Sequence, residues 1–144
     1  MKIMSVDLGD ARTGIAICDK TEFLASPLGT IYEKEPLKIL QKVAIAAVEY
    51  GAQQIVVGLP LNMDGSSGER AKKAEEFANR LKQLVSVPIV TWDERQSTMA
   101  AAQHLNVTNT RGKKRKEVID QVAAVVILES YLAYRKNHPE TSGN

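Results

Sequence analysis

Three acidic residues stand at positions from which they could act on one substrate. Asp7 ends a short apolar stretch and precedes a turn punctuated by glycines, and Glu94 directly follows a second apolar stretch. Asp120 lies among apolar residues at helical spacing. A carboxylate surrounded by protein costs free energy unless it is paired, hydrogen-bonded or bound to a metal ion. These residue types therefore favour a site in which carboxylates bind a cation.

Carboxylate oxygens suit hard cations such as Mg²⁺ and Mn²⁺. Two such ions, about 4 Å apart, activate a water molecule and stabilise the leaving oxygen of a phosphodiester. We therefore predict that Asp7, Glu94 and Asp120 are catalytic residues that bind Mg²⁺ or Mn²⁺, with two ions expected. A zinc site is not indicated, because the sequence has no cluster of histidine and cysteine residues.

Each of these acids also has a structural interpretation. Asp93 and Glu94 could both be helix N-terminal residues favoured by the helix dipole, and we expect Asp93 to serve the fold while Glu94 reaches a metal. Asp120 could instead pair with Lys116. Whether Asp93 or Glu117 adds a further ligand is left open.

Short apolar stretches bounded by turn residues predict five strands. The first, fourth and fifth adjoin helices, which favours a parallel arrangement at the centre of the sheet, with the second and third extending it antiparallel on one side. Sites in open α/β sheets lie at the carboxyl ends of the parallel strands, where Asp7 and Glu94 fall. In the turn after Asp7, Gly9 and Gly14 can supply positive φ values or room for a phosphate. The predicted strands are Ile3–Leu8, Thr13–Cys18, Ala25–Tyr32, Gln54–Gly58 and Val87–Trp92.

Apolar residues at helical spacing predict the helices between these strands. Pro36 suits the start of the first helix, and Ser66 with Glu69 forms a capping-box pattern at the start of the second. The polar, basic segment 106–113 is predicted to be a mobile loop. The predicted helices span residues 36–50, 66–85, 93–105 and 115–135.

The closing helix presents Asp120 on an apolar stripe. Positions 120, 124, 127 and 131 share one helical face, and the last three are Ala124, Ile127 and Tyr131. We therefore expect the Asp120 carboxylate to project from the side of the helix that faces the sheet.

Composition limits the class of protein. The 144 residues predict a single domain over residues 1–136 and a polar, disordered tail over 137–144. No apolar run approaches the roughly 20 residues that span a bilayer, and the N-terminus lacks a signal-peptide pattern. Cys18 is the single cysteine and is expected to be buried in a reducing compartment. We predict a cytoplasmic protein with no membrane association.

Positive charge is concentrated near the start of the closing helix. The net charge is +2, yet residues 106–144 carry seven Lys and Arg against four Asp and Glu, a balance of +3. Most of the excess lies in the segment 111–116. Such a cluster is either a solvated surface or a contact for phosphates. Aromatic residues make up 5% of the chain, so recognition of single strands by base stacking is not indicated.

Four segments together resemble the YqgF family, a bacterial group with a ribonuclease-H-like fold related to the Holliday-junction resolvase RuvC. They occur in the order of that family and extend over nearly the whole chain. Each segment is short, but their combination is specific. The segments are Asp7-Leu8-Gly9 with Arg12, Val56–Pro60 with Asn62, Asp93-Glu94-Arg95, and Asp120 with Ala123 and Ala124.

The resemblance implies an α/β, ribonuclease-H-like three-layer fold, in which a mixed five-stranded sheet has helices on both faces. It also implies a nuclease with Asp7, Glu94 and Asp120 as metal-binding acids. Family members are linked to maturation of the 5′ end of 16S rRNA, so the implied partners are pre-rRNA and the pre-ribosomal particle. The alternatives are a Holliday-junction resolvase acting on branched DNA, and a non-catalytic nucleic-acid-binding assembly or transcription factor. We expect a monomer or a weak homodimer.

The substrate-binding residues predicted from this likeness surround the acids. Arg12 and Arg95 could clamp phosphate oxygens or form ion pairs with Asp10 and Asp93. Asn62 could contact the substrate backbone or close its own turn. The cations predicted to hold the nucleic acid by charge are Lys113, Lys114 and Arg115.

Overall fold

The computed structural model describes residues 1–96 and 112–138, with the backbone alone described at Gln96 and over 112–121. Within these ranges the chain forms five strands, three α-helices and a 3₁₀ turn at Glu94–Gln96. The elements in chain order are β1 (Ile3–Asp7), β2 (Arg12–Cys18), β3 (Ala25–Tyr32), α1 (Pro36–Glu49), β4 (Gln54–Leu59), α2 (Glu69–Leu81), β5 (Ile89–Asp93) and α3 (Gly112–Asn137).

The strands form one mixed sheet in the order β3-β2-β1-β4-β5. β1 pairs with β4 and β4 with β5 in parallel, whereas β2 and β3 extend the sheet antiparallel beyond β1. The predicted mixed five-stranded sheet is therefore confirmed. The expectation that β5 is central was wrong. Helix α1 connects β3 to β4, and α2 connects β4 to β5, so both connections lead toward the same edge of the sheet and β5 is the edge strand.

The two faces of the sheet pack against different helices. Because side chains alternate along a strand, Met4 and Val6 of β1 face α1 and α2, while Ile3 and Ser5 face α3. The same alternation in β4 places Val57 with the first group and Val56 with the second. The result is three layers, with α1 and α2 on one face and α3 on the other.

Helix α3 lies close against the sheet because small residues line the contact. The Ser5 hydroxyl donates a 2.6 Å hydrogen bond to the carbonyl oxygen of Ala124, and both residues are fully buried. Ile127 and Tyr131 are also buried on this side, as the predicted apolar stripe requires. The Asp120 side chain, which completes that stripe in the sequence, lies outside the described side chains.

Helix α2 begins later than its capping-box pattern predicts. The helix starts at Glu69 with Gly68 as its N-cap residue, and no side chain caps it. The Ser66 hydroxyl instead donates to Asp64 Oδ1 at 2.7 Å, within a turn that precedes the helix. Competition from this local hydrogen bond moved the start by three residues. The helix also ends at Leu81, ahead of the predicted residue 85.

Helix α3 begins at Gly112 and ends at Asn137, so it is longer at both ends than predicted. Lys113 therefore belongs to the helix and not to the preceding loop, which agrees with the high helix propensity of lysine and arginine. The predicted helix 93–105 is described only as far as the 3₁₀ turn, and residues 97–111 and 139–144 lie outside the described ranges. Among the described residues, no helix combines the length and apolar character needed to cross a membrane.

A partly buried ion pair joins α3 to the turn between β2 and β3. Arg135 donates from Nε to Oε1 of Glu22 at 2.7 Å and from Nη2 to Oε2 at 3.1 Å. The ammonium group of Met1 lies 2.9 Å from Oε2 of the same carboxylate. Hydrogen bonding from Arg135 lowers the pKa of Glu22, although burial alone would raise it.

We expect Glu22→Gln to lower the free energy of unfolding at neutral pH by about 2 kcal/mol, because it removes a charge-assisted pair. The folded-state pKa lies below the ordinary value of 4.5. The carboxylate therefore stabilises the fold above pH 4.5, and this contribution is lost as the pH falls through the folded-state pKa. Urea unfolding of both proteins over a series of falling pH values measures the difference, which should shrink toward zero.

Glu49→Gln serves as the control, since it removes the same charge at the exposed end of α1. Its effect on the free energy of unfolding should stay within about 0.5 kcal/mol. The stabilising role of the pair is contradicted if Glu22→Gln lowers the free energy of unfolding no more than the control does. It is also contradicted if the loss of free energy does not change with pH.

Candidate active site

Asp7 is the last residue of β1 and is half-buried. Its strand neighbours are Gly14 of β2, opposite it in the antiparallel pair, and the end of β4, since Val6 is in register with Val57. Alternation along β1 places Asp7 on the same face as Ser5, the face covered by α3. The predicted position of Asp7 at the carboxyl end of a parallel strand is therefore confirmed.

The turn after Asp7 depends on a close backbone approach. A side-chain carbon at Gly9 would overlap the carbonyl oxygen of Arg12, so only glycine fits there. Neither Gly9 nor Gly14 has a positive φ, which corrects the expectation from the sequence. The tight turn brings Arg12, the first residue of β2, beside the end of β1.

The Glu94 carboxylate lies over the end of β4. A side-chain carbon at Gly58 would be 2.8 Å from Glu94 Oε2 and 2.6 Å from Ile127 Cδ1. Because Gly58 has no side chain, the Glu94 carboxylate fits between the sheet and α3 at this position. Because β4 lies between β1 and β5, with neighbouring strands about 4.8 Å apart, Asp7 and Glu94 flank the same strand end on the same face.

The Glu94 carboxyl is half-buried at this strand end. Burial raises the pKa of the Glu94 carboxyl, the positive charge of Arg70 lowers it in part, and the negative charge of Asp93 raises it. A cation bound beside Glu94 would offset the cost of keeping this carboxylate ionised.

Asp93 serves the fold, as the structural interpretation predicted. Arg95 donates to both oxygens of the Asp93 carboxylate, with Nη2 at 2.7 Å from Oδ2, and the backbone N–H of Arg95 donates to Oδ1 at 2.9 Å. These bonds lower the pKa of Asp93. The guanidinium also donates through Nη1 to the Met63 carbonyl oxygen at 3.1 Å. Arg95 therefore matches its ion-pair interpretation, and its contact with phosphate stays a prediction.

Asn62 closes a turn at the rim of the site. Its Nδ2 donates to Ser66 Oγ at 3.0 Å, and its backbone N–H donates to the Ser66 carbonyl oxygen at 2.9 Å. Gly65 takes the positive φ of 90° that this turn requires. The Arg95 bond to Met63 fastens the turn to the end of β5. A substrate contact of Asn62 stays a prediction beside this structural role.

The backbone of residue 120 in α3 lies near the end of β1 that carries Asp7. Ala124 is opposite Ser5, and α3 runs from there past Tyr131, which bonds Gln54 at the start of β4. Residue 120 precedes Ala124 by four residues, or about 6 Å of helix. Asp7 follows Ser5 by two residues, or about 6.6 Å of strand. The helix backbone thus brings position 120 to the strand end that carries Asp7.

The remaining predicted residues lie partly outside the description. The side chains of Asp120, Lys113, Lys114 and Arg115 are among those not described, so their roles stay predictions. Among the side chains that are described, no group of three or more histidine, cysteine, aspartate or glutamate residues is arranged to hold a metal. One of the three predicted acids, Asp120, is not among the described side chains.

Two residues of the site were missed from the sequence. Gly58 interrupts a stretch of strong strand formers, and such a glycine marks a close approach by another group. Arg70 is a cation in the first turn of α2, where the helix dipole disfavours positive charge. The Glu94 carboxylate explains Gly58, and the charge of Arg70 acts on the same carboxylate.

The order of strands and the helices on both faces define a ribonuclease-H-like fold. Solved structures share this fold. RuvC of T. thermophilus, solved in complex with a Holliday junction substrate, superposes with a TM-score of 0.60 at 14% identity, covering 93% of this chain and 96% of that chain. The fowlpox virus Holliday junction resolvase gives a TM-score of 0.56 at 14% identity, covering 93% and 99%.

The chain belongs to the RuvX family, described as Holliday junction resolvase, whose model matches residues 1–134. A relative from Halothermothrix orenii is 42% identical over 135 residues, covering 94% of this chain and 96% of the relative. A relative from Geobacillus kaustophilus is 44% identical over 135 residues, covering 92% and 97%. Both are named as candidate pre-16S rRNA nucleases. The resemblance inferred from the sequence is confirmed, and the protein is a nuclease.

We expect Gly58→Ala to lower nuclease activity by about a hundredfold while the protein stays folded. The added carbon meets the ends of two flexible side chains, Glu94 and Ile127, so the carboxylate shifts and the backbone does not. Displacement of a catalytic group by about 1 Å is enough for a loss of this size. Overpacking should lower the free energy of unfolding by about 1–3 kcal/mol. Cleavage rates and urea unfolding measure the two effects.

The double variant Gly58→Ala/Ile127→Val separates stability from activity. Ile127→Val removes Cδ1, the atom nearest the new carbon on the helix side, but leaves the encounter with Glu94 unchanged. We expect the double variant to recover stability and to remain inactive, while Ile127→Val alone stays active. Full activity in Gly58→Ala contradicts the role of Gly58 as the gap for the carboxylate.

Proposed function

We propose that this protein is a metal-dependent endonuclease that cleaves phosphodiester bonds in structured nucleic acid and processes the 5′ end of pre-16S rRNA. The observation that carries the proposal is the half-buried Glu94 carboxylate, which lies over Gly58 and flanks the end of β4 together with Asp7. The relatives named as candidate pre-16S rRNA nucleases support the choice of RNA. Such an enzyme would work in the cytoplasm on a pre-ribosomal particle.

The described residues fit a hard divalent cation. Asp7 and Glu94 offer carboxylate oxygens, which Mg²⁺ and Mn²⁺ prefer, and Gly58 leaves room for Glu94 beside the sheet. We assign Asp120 as the third ligand, on the strength of its place on α3. When bound, one or two such ions would supply Lewis-acid chemistry at the phosphate.

The protein's own residues orient the reaction. Partial burial of the Glu94 carboxylate would strengthen its attraction for a cation. The Asp93–Arg95 pair fixes the end of β5 from which Glu94 projects. Arg12 lies beside the end of β1, where a guanidinium can hold a substrate phosphate, and the cations Lys113, Lys114 and Arg115 would hold the strand that approaches α3.

A second candidate is cleavage of branched DNA. The description of the matching family as Holliday junction resolvase favours it. The same carboxylates and ions would serve either backbone, because the chemistry acts on the phosphodiester and not on the base. A symmetric junction would need two active sites and hence a dimer, whereas trimming an RNA end needs only a monomer.

We expect Asp7→Asn to lower cleavage by more than about a hundredfold, because a neutral amide cannot replace a charged ligand of a divalent cation. The assay follows a 5′-labelled pre-16S leader RNA and a four-way DNA junction in parallel, each with Mn²⁺, Mg²⁺ or EDTA. Binding of both substrates to Asp7→Asn, and its melting temperature, should remain close to those of the unmodified protein.

Glu75→Gln is the matched control, since it neutralises an exposed acid on α2 and should leave cleavage unchanged. Metal-dependent cutting of one substrate, lost in Asp7→Asn alone, supports the nuclease and selects RNA or DNA. Cleavage that survives in Asp7→Asn, or that proceeds in EDTA, overturns the proposed role of the acids.

A further inference from the structure

A cavity of about 290 Å³ lies between α1 and α2, beneath the turn that follows β1. Its inner wall is apolar and includes Ile39, Leu40 and Phe77. Its rim carries the cations Lys34, Arg70, Lys73 and Arg80. We call it the α1–α2 cavity. It opens on the face of the sheet opposite α3, so it is a separate feature from the strand end that holds Asp7 and Glu94.

Arg70 connects the α1–α2 cavity to the active site. The residue lines the cavity, and its positive charge also acts on the Glu94 carboxylate. The turn residues Leu8 and Gly9, which follow Asp7 directly, form another part of the cavity wall. A chain that leaves the active site across this turn would therefore enter the α1–α2 cavity at once.

We propose that the α1–α2 cavity binds one nucleotide of the substrate strand next to the cleaved bond, with the base against the apolar wall and its phosphates on the rim cations. The inference rests on the proposed nuclease function and names a subsite for it. Substrate cleaved between Asp7 and Glu94 would continue over the turn at Leu8 and Gly9 into this subsite.

The size and charge of the α1–α2 cavity favour this ligand. Its volume of about 290 Å³ is just below the range of about 300–1,000 Å³ seen for small-molecule sites, which suits a single nucleotide and not a duplex. Four rim cations outnumber the two acids in the lining, Asp10 and Glu76. The Lys73–Asp10 pair is long, at 3.9 Å, and exposed, so Lys73 can exchange it for a phosphate at little cost.

The test measures binding of a short, 5′-fluorescein-labelled single-stranded RNA in EDTA, where no cleavage takes place. We expect Lys73→Ala and Arg80→Ala each to raise the Kd about fourfold at physiological salt, the contribution of one single-strand phosphate contact. Each should also reduce the slope of log Kd against log salt by about 0.7. Glu76→Gln removes a negative charge from the rim and should tighten binding.

Lys20→Ala is the matched control, because Lys20 is an exposed lysine in the turn between β2 and β3, at the other end of the sheet from the α1–α2 cavity. Its Kd and salt slope should equal those of the unmodified protein. The proposal is overturned if Lys73→Ala and Arg80→Ala bind RNA with the same Kd and salt slope as Lys20→Ala.

A second measurement tests the place of the base. Adenosine monophosphate should shift the methyl resonances of Ile39 and Leu40 in the full-length protein, whereas inorganic phosphate should leave them unchanged. Absence of a shift with the nucleotide overturns the base contact. Equal shifts with both probes also overturn it, because they would reflect charge at the rim alone.

These outcomes are separable from failure of the proposed nuclease function. Binding in EDTA does not depend on cleavage, and the rim variants leave Asp7 and Glu94 intact. Metal-dependent cleavage with unchanged RNA binding in the rim variants would overturn the subsite and keep the nuclease. Loss of RNA binding in those variants, in a protein that cleaves neither substrate with any metal, would overturn the nuclease and, with it, the placement of the subsite beside a cleaved bond.

Discussion

The position of α3 along the sheet is the constraint on which the site depends. Three side-chain hydrogen bonds fix it, one from each of three neighbouring strands: Ser5 Oγ to the Ala124 carbonyl oxygen at 2.6 Å, Tyr131 Oη to Gln54 Oε1 at 3.1 Å, and Trp92 Nε1 to Ser130 Oγ at 2.9 Å. A helix packed by apolar contacts alone can slide by small amounts. Buried polar partners penalise such sliding, because each would lose its hydrogen bond.

The same helix position decides how much room Glu94 has. Two side chains pack against Gly58: Ile127 from α3, and Glu94 from the end of β5. Two neighbouring acids thereby have opposite environments. Hydrogen bonds from Arg95 lower the pKa of Asp93, while burial raises the pKa of Glu94. One acid of the pair stabilises the strand end, whereas burial disfavours the ionised form of its neighbour.

The sequence was sufficient for the strands, for which of them run parallel and for the position of Asp7, because these follow from local periodicity and from the handedness of crossovers. It did not place β5 at the edge of the sheet. It was insufficient where a decision rested on contacts between distant residues. The hydroxyl of Ser66 could cap α2 or join the Asp64 turn, and its sequence pattern allows both. The need for Gly9 and Gly58 arises from the Arg12 carbonyl and the Glu94 carboxylate, which reach them only in the folded chain.

The choice between RNA and branched DNA cannot come from the proposed metal-binding acids, because they would act on a phosphodiester that both substrates share. Cations proposed to hold phosphates, such as Arg12, would be equally indifferent to the sugar. Discrimination requires a contact with a base or with the 2′-hydroxyl group, and single-stranded RNA offers both to a concave, partly apolar site. Within the described part of the chain, the α1–α2 cavity combines an apolar wall with rim cations at the border of the active site. Selectivity for the substrate is therefore expected from α1 and α2, and cleavage from the face that α3 covers.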